Sequence, residues 1–112
     1  MFNRIINWNI SRGIPREFDK AKEAGHIAEE LSELLRANNG SEDIDALCDI
    51  IVFAVGSIWK KGFDVEKCMN ETLKEIEDRG GYYDVEIGKW KKVQKDDRYI
   101  ADYQRCKIEE DN

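Results

Sequence analysis

Asp45 and Asp49 stand in IDALCDIIVFAVGSIW, where every other residue from Ile44 to Trp59 except Gly56 and Ser57 is apolar. At about 100° per residue the two side chains lie some 40° apart on one helix face, a turn from each other. An unpaired carboxylate taken out of water costs several kcal/mol or more, and two adjacent carboxylates repel, so the pair calls for nearby cations or a shared proton. Upstream lie Glu29, Glu30 and Glu33. Glu30 borders the apolar face of its helix and Glu33, about 60° away, can converge on the same point. If the two helices pack antiparallel, the acidic pairs face each other. Four carboxylates with the chain's single histidine, His26, suit a hard cation with oxygen ligands, Mg²⁺ or Mn²⁺. One histidine excludes a multi-histidine zinc site within a single chain, and the paired Glu-x-x-His pattern of ferritin-like di-iron proteins is absent. Plainer readings stand beside this one. Asp45 is also a first-turn acid favoured by the helix dipole, Asp49 a salt-bridge partner, and Glu30 and Glu33 solvated helix-face residues.

The elements that must position these acids are helices. Residues 1–14 read as an apolar lead-in ending at Ser11-Arg12-Gly13, and Pro15 suits the first turn of a helix running to about Asn38. Phe18, Ala21, Ala24, Ala28, Leu31 and Leu35 recur there at three- and four-residue steps. Ser41 is a good N-cap for a second helix over about 42–61, closed by Gly62. Apolar all round, that helix is expected to be buried on all sides. Asp64 caps a third, whose Val65, Cys68, Met69, Thr72, Leu73 and Ile76 keep the helical period up to Gly80-Gly81. Beyond Gly80 the period is lost. Tyr82 to Lys92 reads as a small hairpin or an extended loop, and a short helix is possible near Asp97 to Arg105. The expectation is one all-α domain over 1–112: a bundle of three main helices plus an irregular C-terminal tail (80–112). Three helices cannot enclose the second on every side, so oligomerisation, as a homodimer or homotetramer, is expected to complete the bundle.

The chain has 112 residues, enough for one core, and 24 acidic against 18 basic residues give a net charge of −6. That sign repels a phosphate backbone and excludes a general nucleic-acid coat, while leaving room for a small polyphosphate held through metal. The odd count of three cysteines, without CxxC, fits a reduced protein. With no span-length apolar run and no signal peptide, a cytoplasmic setting without membrane is expected. Cys48 and Cys68 read as packing residues.

At this constellation the sequence resembles the all-α NTP pyrophosphohydrolases, the MazG-like group that includes dimeric dUTPases and phosphoribosyl-ATP pyrophosphohydrolases. Glu30-Leu31-Ser32-Glu33 matches the ExxE of that pattern, and Asp49 matches the closing Asp of its ExxD. Ala46 falls where the leading Glu would be, with Asp45 one residue earlier. The segment MNETLKEIEDRGG, then GKW and ADYQRCK, resembles small phage and bacterial members, and the likeness spans roughly 5 to 107. It implies a hydrolase in which carboxylates hold Mg²⁺ against a triphosphate while water attacks the α-phosphorus, releasing a nucleoside monophosphate and pyrophosphate. By that resemblance Glu30, Glu33, Asp45 and Asp49 are metal ligands, with Glu30 or Glu33 serving the attacking water. Asn70 and Lys74 are substrate contacts on the same ground, against the plain alternative of an exposed polar face. Phosphoribosyl-ATP is an alternative substrate, and a non-catalytic helical interaction protein is the alternative of another class. His26 reads as a hydrogen-bonding or surface histidine. Trp8, Tyr82, Tyr83 and Trp90 are core or interface residues before they are base-stacking ones. Lys89, Lys91, Lys92 and Lys95 read as solvated charge, with attraction of a polyphosphate as the alternative.

Overall fold

The N-terminal segment, expected as a lead-in, is a helix: α1 spans Phe2–Ser11. Its polar Asn9 is buried, which blurred the apolar stripe, and no side chain caps its start. The Asn9 amide donates to the Ile5 carbonyl at 2.9 Å and lies against Gly56, where a Cβ would sit 3.6 Å from its Nδ2. The helix ends with the Arg12 N–H on the Trp8 carbonyl and the Gly13 N–H on that of Ile10, Gly13 taking φ +67°. The structure, a computed structural model, describes residues 1–93 and 97–108. It divides into two units, Met1–Val65 with the C-terminal end from Ile108, and Glu66–Lys107.

In the first unit α2 runs Lys20–Arg36, later than Pro15 suggested. Asp19 is the stronger start signal: its carboxylate accepts the Ala21 and Lys22 N–H groups at 3.1 and 3.3 Å. The extended link before it is pinned by Arg16, which donates to the Trp59 carbonyl at 2.9 Å and stacks over the Trp59 ring. Helix α3 runs Gly40–Lys60 and is capped by Asn39, not Ser41. Asn39 accepts the Glu42 N–H at 3.0 Å while Glu42 reaches back to the Asn38 N–H at 2.7 Å, a reciprocal cap that Ser41 has no matching acid to make.

Helices α2 and α3 are antiparallel, and their contacts step down one as they climb the other. Buried Glu23 accepts from Ser57 at 2.8 Å and from Lys60 at 3.1 Å; His26 stacks on Phe53; Glu30 meets Asp49. This ladder fixes the register of the two helices. Ala46, Val55 and Trp59 form the buried side of α3. The helix is not buried all round within the chain: Ile44, Leu47, Ile51 and Val52 are 59, 43, 50 and 38% exposed along one side of its N-terminal half. Cys48, expected as packing, is exposed on that side too, whereas Cys68 and Cys106 are buried.

The second unit holds all but the first residue of α4, which spans Val65–Asp78, and an antiparallel hairpin of β1 (Gly80–Asp84) and β2 (Lys89–Val93). Asp84 closes the hairpin turn by accepting the Glu86 and Ile87 N–H groups. Tyr82 pairs with Lys91 and Tyr83 with Trp90, and the Trp90 indole lies where a Cβ on Gly81 would stand. Of the two readings for Tyr82 to Lys92 the hairpin is the one found, so this part of the tail is not irregular, and the fold is mostly helical with one small sheet. The short helix anticipated near Asp97 to Arg105 is replaced by an irregular segment ending in a 3-10 turn, Gln104–Cys106. The reason is competition for donors. Asp78 accepts the Tyr99 N–H, Glu75 that of Ala101 at 3.1 Å and Glu71 that of Asp102 at 3.0 Å, so α4 carboxylates take the bonds an isolated helix would make to itself.

Candidate metal centre

Glu30 and Glu33 come from adjacent turns of α2, Asp49 from the facing turn of α3. One oxygen from each lies within 4.8 Å of the other two. Glu33 is exposed and the other two are half-buried. The Glu30 Oε2 is buried with no hydrogen-bond partner. Such an atom is rare in a folded interior unless something absent from the chain itself satisfies it.

The electrostatics agree. Burial foremost, then the Glu33 carboxyl, close enough to share a proton, and the charges of Glu33, Asp49 and Glu29, push the Glu30 carboxyl up to about 7. Asp49 is also raised, by burial and then by Asp45 and Glu33. Every charge acting in these two shifts is negative. Asp49 makes no salt bridge among the described residues, so the salt-bridge alternative loses its partner. Three hard oxygen donors, an orphaned buried oxygen and uncompensated negative charge fit a divalent cation such as Mg²⁺ or Mn²⁺. Glu30, Glu33 and Asp49 would hold it.

The other anticipated residues are placed as follows. Asp45 is exposed and outside the converging group, one turn toward the start of α3, and acts on it through charge. Ala46 is 2% exposed, so an acid there would be sunk in the core. Asn70 and Lys74 belong to the second unit, where Asn70 is exposed and Lys74 sits 3.5 Å from Glu71. Trp8, Tyr82, Tyr83 and Trp90 are each at least half exposed, Trp8 with Arg12 over its ring. Lys89, Lys91 and Lys92 are exposed, Lys91 reaching Asp84 at 3.8 Å, and Lys95 lies outside the described residues. Sequence reasoning missed Phe53, which carries the His26 ring; its place one turn after Asp49, as His26 is one turn before Glu30, was the available signal.

The Glu30 shift gives a pH dependence with a definite sign. Its carboxyl holds a proton to about 7 in the folded, metal-free protein but only to about 4.5 when unfolded. The folded state therefore binds more protons across that window, and its stability falls as pH rises from about 4.5 to 7. Thermal melts in EDTA are expected to show this decline, with Mg²⁺ opposing it increasingly as Glu30 ionises. A metal-free Tm that instead rises through the window, with no Mg²⁺ effect, would count against the centre.

No curated protein and no solved structure matches the chain. A family model, described as phosphoribosyl-ATP pyrophosphohydrolase, matches residues 2–75, from α1 through most of α4, and so includes all three converging carboxylates. Enzymes of that family are hydrolases of phosphoric anhydrides and usually use a divalent metal, which accords with the donor set. With the match covering well over half its length, the chain belongs to the phosphoribosyl-ATP pyrophosphohydrolase family, a branch of the MazG-like all-α NTP pyrophosphohydrolases.

Proposed function

We propose that the protein hydrolyses the α–β anhydride of a nucleoside triphosphate in the presence of Mg²⁺ or Mn²⁺, releasing pyrophosphate and a monophosphate. The observation that carries this is the convergence of Glu30, Glu33 and Asp49 around a buried, unpartnered oxygen. A divalent cation there supplies charge neutralisation of the phosphates and activation of water. Glu30 and Asp49, half-buried on facing turns of α2 and α3, hold the charge, and Glu33 takes the proton of the attacking water; its exposure supports giving it that role ahead of Glu30. Asp45 adds negative potential rather than a ligand. For Asn70 and Lys74 as substrate contacts the support is the resemblance alone.

Two substrates share this bond. A deoxynucleoside or nucleoside triphosphate is the first, and phosphoribosyl-ATP, favoured by the family match, is the second. Pyrophosphate and monophosphate release from a panel of NTPs, dNTPs, dUTP and phosphoribosyl-ATP, with Mg²⁺ and with EDTA, ranks them. Release of orthophosphate would place the cut at another bond. No turnover of any member would favour a non-catalytic interaction protein.

The same proposal includes a cytosolic homo-oligomer, a dimer in the simplest case. Its support is the apolar side of α3 formed by Ile44, Leu47, Ile51 and Val52, which the chain itself leaves exposed. Light scattering is expected to give at least twice the 13.1 kDa chain mass, and Ile51→Glu to reduce it to that of one chain. A wild-type monomer at micromolar concentration would refute the oligomer.

A further inference from the structure

Next to the acidic rung of the α2–α3 ladder is an aromatic one. The His26 imidazole lies nearly parallel to the Phe53 ring, 12° between planes and 5.2 Å between centroids. Phe53 is half-buried and backs the stack, while His26 is exposed. His26 precedes Glu30 by one turn of α2 and Phe53 follows Asp49 by one turn of α3. The ring pair is therefore set about 6 Å along the helix axes from the carboxylates, on the same seam. An exposed histidine on a helix ordinarily samples several rotamers; stacked on a packed phenylalanine, it has already lost that freedom and presents a flat polarisable surface to solvent at little further entropic cost.

We propose that His26, backed by Phe53, is the platform on which the base of the substrate stacks while its phosphates face Glu30, Glu33 and Asp49. The proposal rests on the pyrophosphohydrolase reading and adds to it the mode of base recognition. In a nucleotide the pentose separates base from α-phosphate by a span comparable to one helical turn, so the two groups fall on neighbouring rungs. Stacking needs only a π face and no particular hydrogen-bonding edge, so this platform admits every base and favours the larger purine rings. The competing role for the same side chain is a hydrogen bond to a phosphate, and substitution separates the two. His26→Phe keeps a stacking ring without a donor, and His26→Gln keeps a donor without a ring.

The test compares wild type, His26→Ala, His26→Phe and His26→Gln on ATP and on ribose 5-triphosphate, which has no base. The readout is the ratio of kcat/KM for the two substrates. In His26→Ala this preference for the base-bearing substrate is expected to fall about tenfold, through KM. His26→Phe is expected to restore most of it and His26→Gln little. Because position 26 is exposed and alanine is a good helix former, the Ala variant is expected to melt with the wild type. An unaltered ratio in His26→Ala, or rescue by Gln and not by Phe, overturns the proposal and leaves the pyrophosphohydrolase reading standing. If the wild type hydrolyses neither compound, that reading fails for ATP. Calorimetric titration of wild type and His26→Ala with Mg²⁺ and a non-hydrolysable ATP analogue then decides the stacking by itself. About tenfold weaker binding in the variant supports it; equal affinities, or no binding by the wild type, overturn it.

Discussion

Asp49→Asn is expected to lower Mg²⁺-dependent pyrophosphate release by about two to three orders of magnitude, the scale of loss when one charge-stabilising group is taken from an active site. The isosteric amide keeps the shape of the α3 side chain but removes one of the three carboxylates converging there. It is also expected to raise the Tm of the metal-free protein. Asp49 is destabilised as an anion by burial, by Asp45 and by Glu33, and a neutral amide escapes all three. The combination is diagnostic. A residue kept for stability loses stability when replaced, whereas a metal ligand in a site without metal is a burden that replacement lifts. Calorimetric Mg²⁺ titration of the variant should show weakened binding at the same time. A variant that unfolds while activity proves independent of metal would return Asp49 to the role of structural partner.

Glu71→Gln is expected to give the largest loss of order in the second unit, detectable first as faster hydrogen exchange at the Asp102 amide. Glu71 is 3% exposed and accepts from the Tyr99 hydroxyl and from the Asp102 N–H at 3.0 Å, with Lys74 and Arg105 at 3.5 and 3.8 Å. The Tyr99 bond foremost, then the Asp102 N–H, hold its carboxyl down at about 2, and the same contact with Glu71 raises the Tyr99 phenol. The sign is opposite to that of Glu30. A depressed folded pKa contributes stability above about 4.5 that is lost as pH falls toward about 2. Both accepted bonds go to Oε1 while Oε2 faces Lys74 and Arg105. Glutamine keeps one acceptor oxygen but loses the charge that strengthens its bonds and turns an amide NH2 toward the two cations, so the variant should lose the acid-side dependence and part of the amide protection. Its metal binding should stay at the wild-type level, since none of the carboxylates of the centre lies in this unit. Unchanged exchange at Asp102 would show that the segment is held by other means.

The convergence of Glu30, Glu33 and Asp49 was legible because burial of acids is costly and therefore conspicuous. Asp49 in an apolar run, and Glu30 with Glu33 one helix earlier, needed only helical geometry and a short turn to be brought face to face. Asp45 was not separable from Asp49 on that basis, because a 40° difference on the helical wheel does not say which side chain meets the neighbouring helix. What brings Asp49 rather than Asp45 to Glu30 and Glu33 is the register of α2 against α3, set by Glu23 with Ser57 and Lys60, a long-range contact with no local signature. Helix α1 was missed because its buried polar Asn9 interrupts the stripe. The hairpin was one of two readings open for Tyr82 to Lys92, whereas the helix expected near Asp97 to Arg105 does not form because its backbone donors are satisfied by side chains some twenty to thirty residues away, on α4.

The reciprocal cap at Asn39 and Glu42 bears on the order in which the protein assembles. It joins two helices through a turn of few residues, so bringing Glu30 to Asp49 closes a short loop with little entropy lost to chain closure. Contacts this local in sequence form early in folding. The three carboxylates thus need only α2 and α3 to be brought together, and neither α4 nor the hairpin contributes to their convergence. The mutual repulsion of these acids would then fall on the helical pair alone, and a cation that relieved it would favour the pairing of α2 with α3.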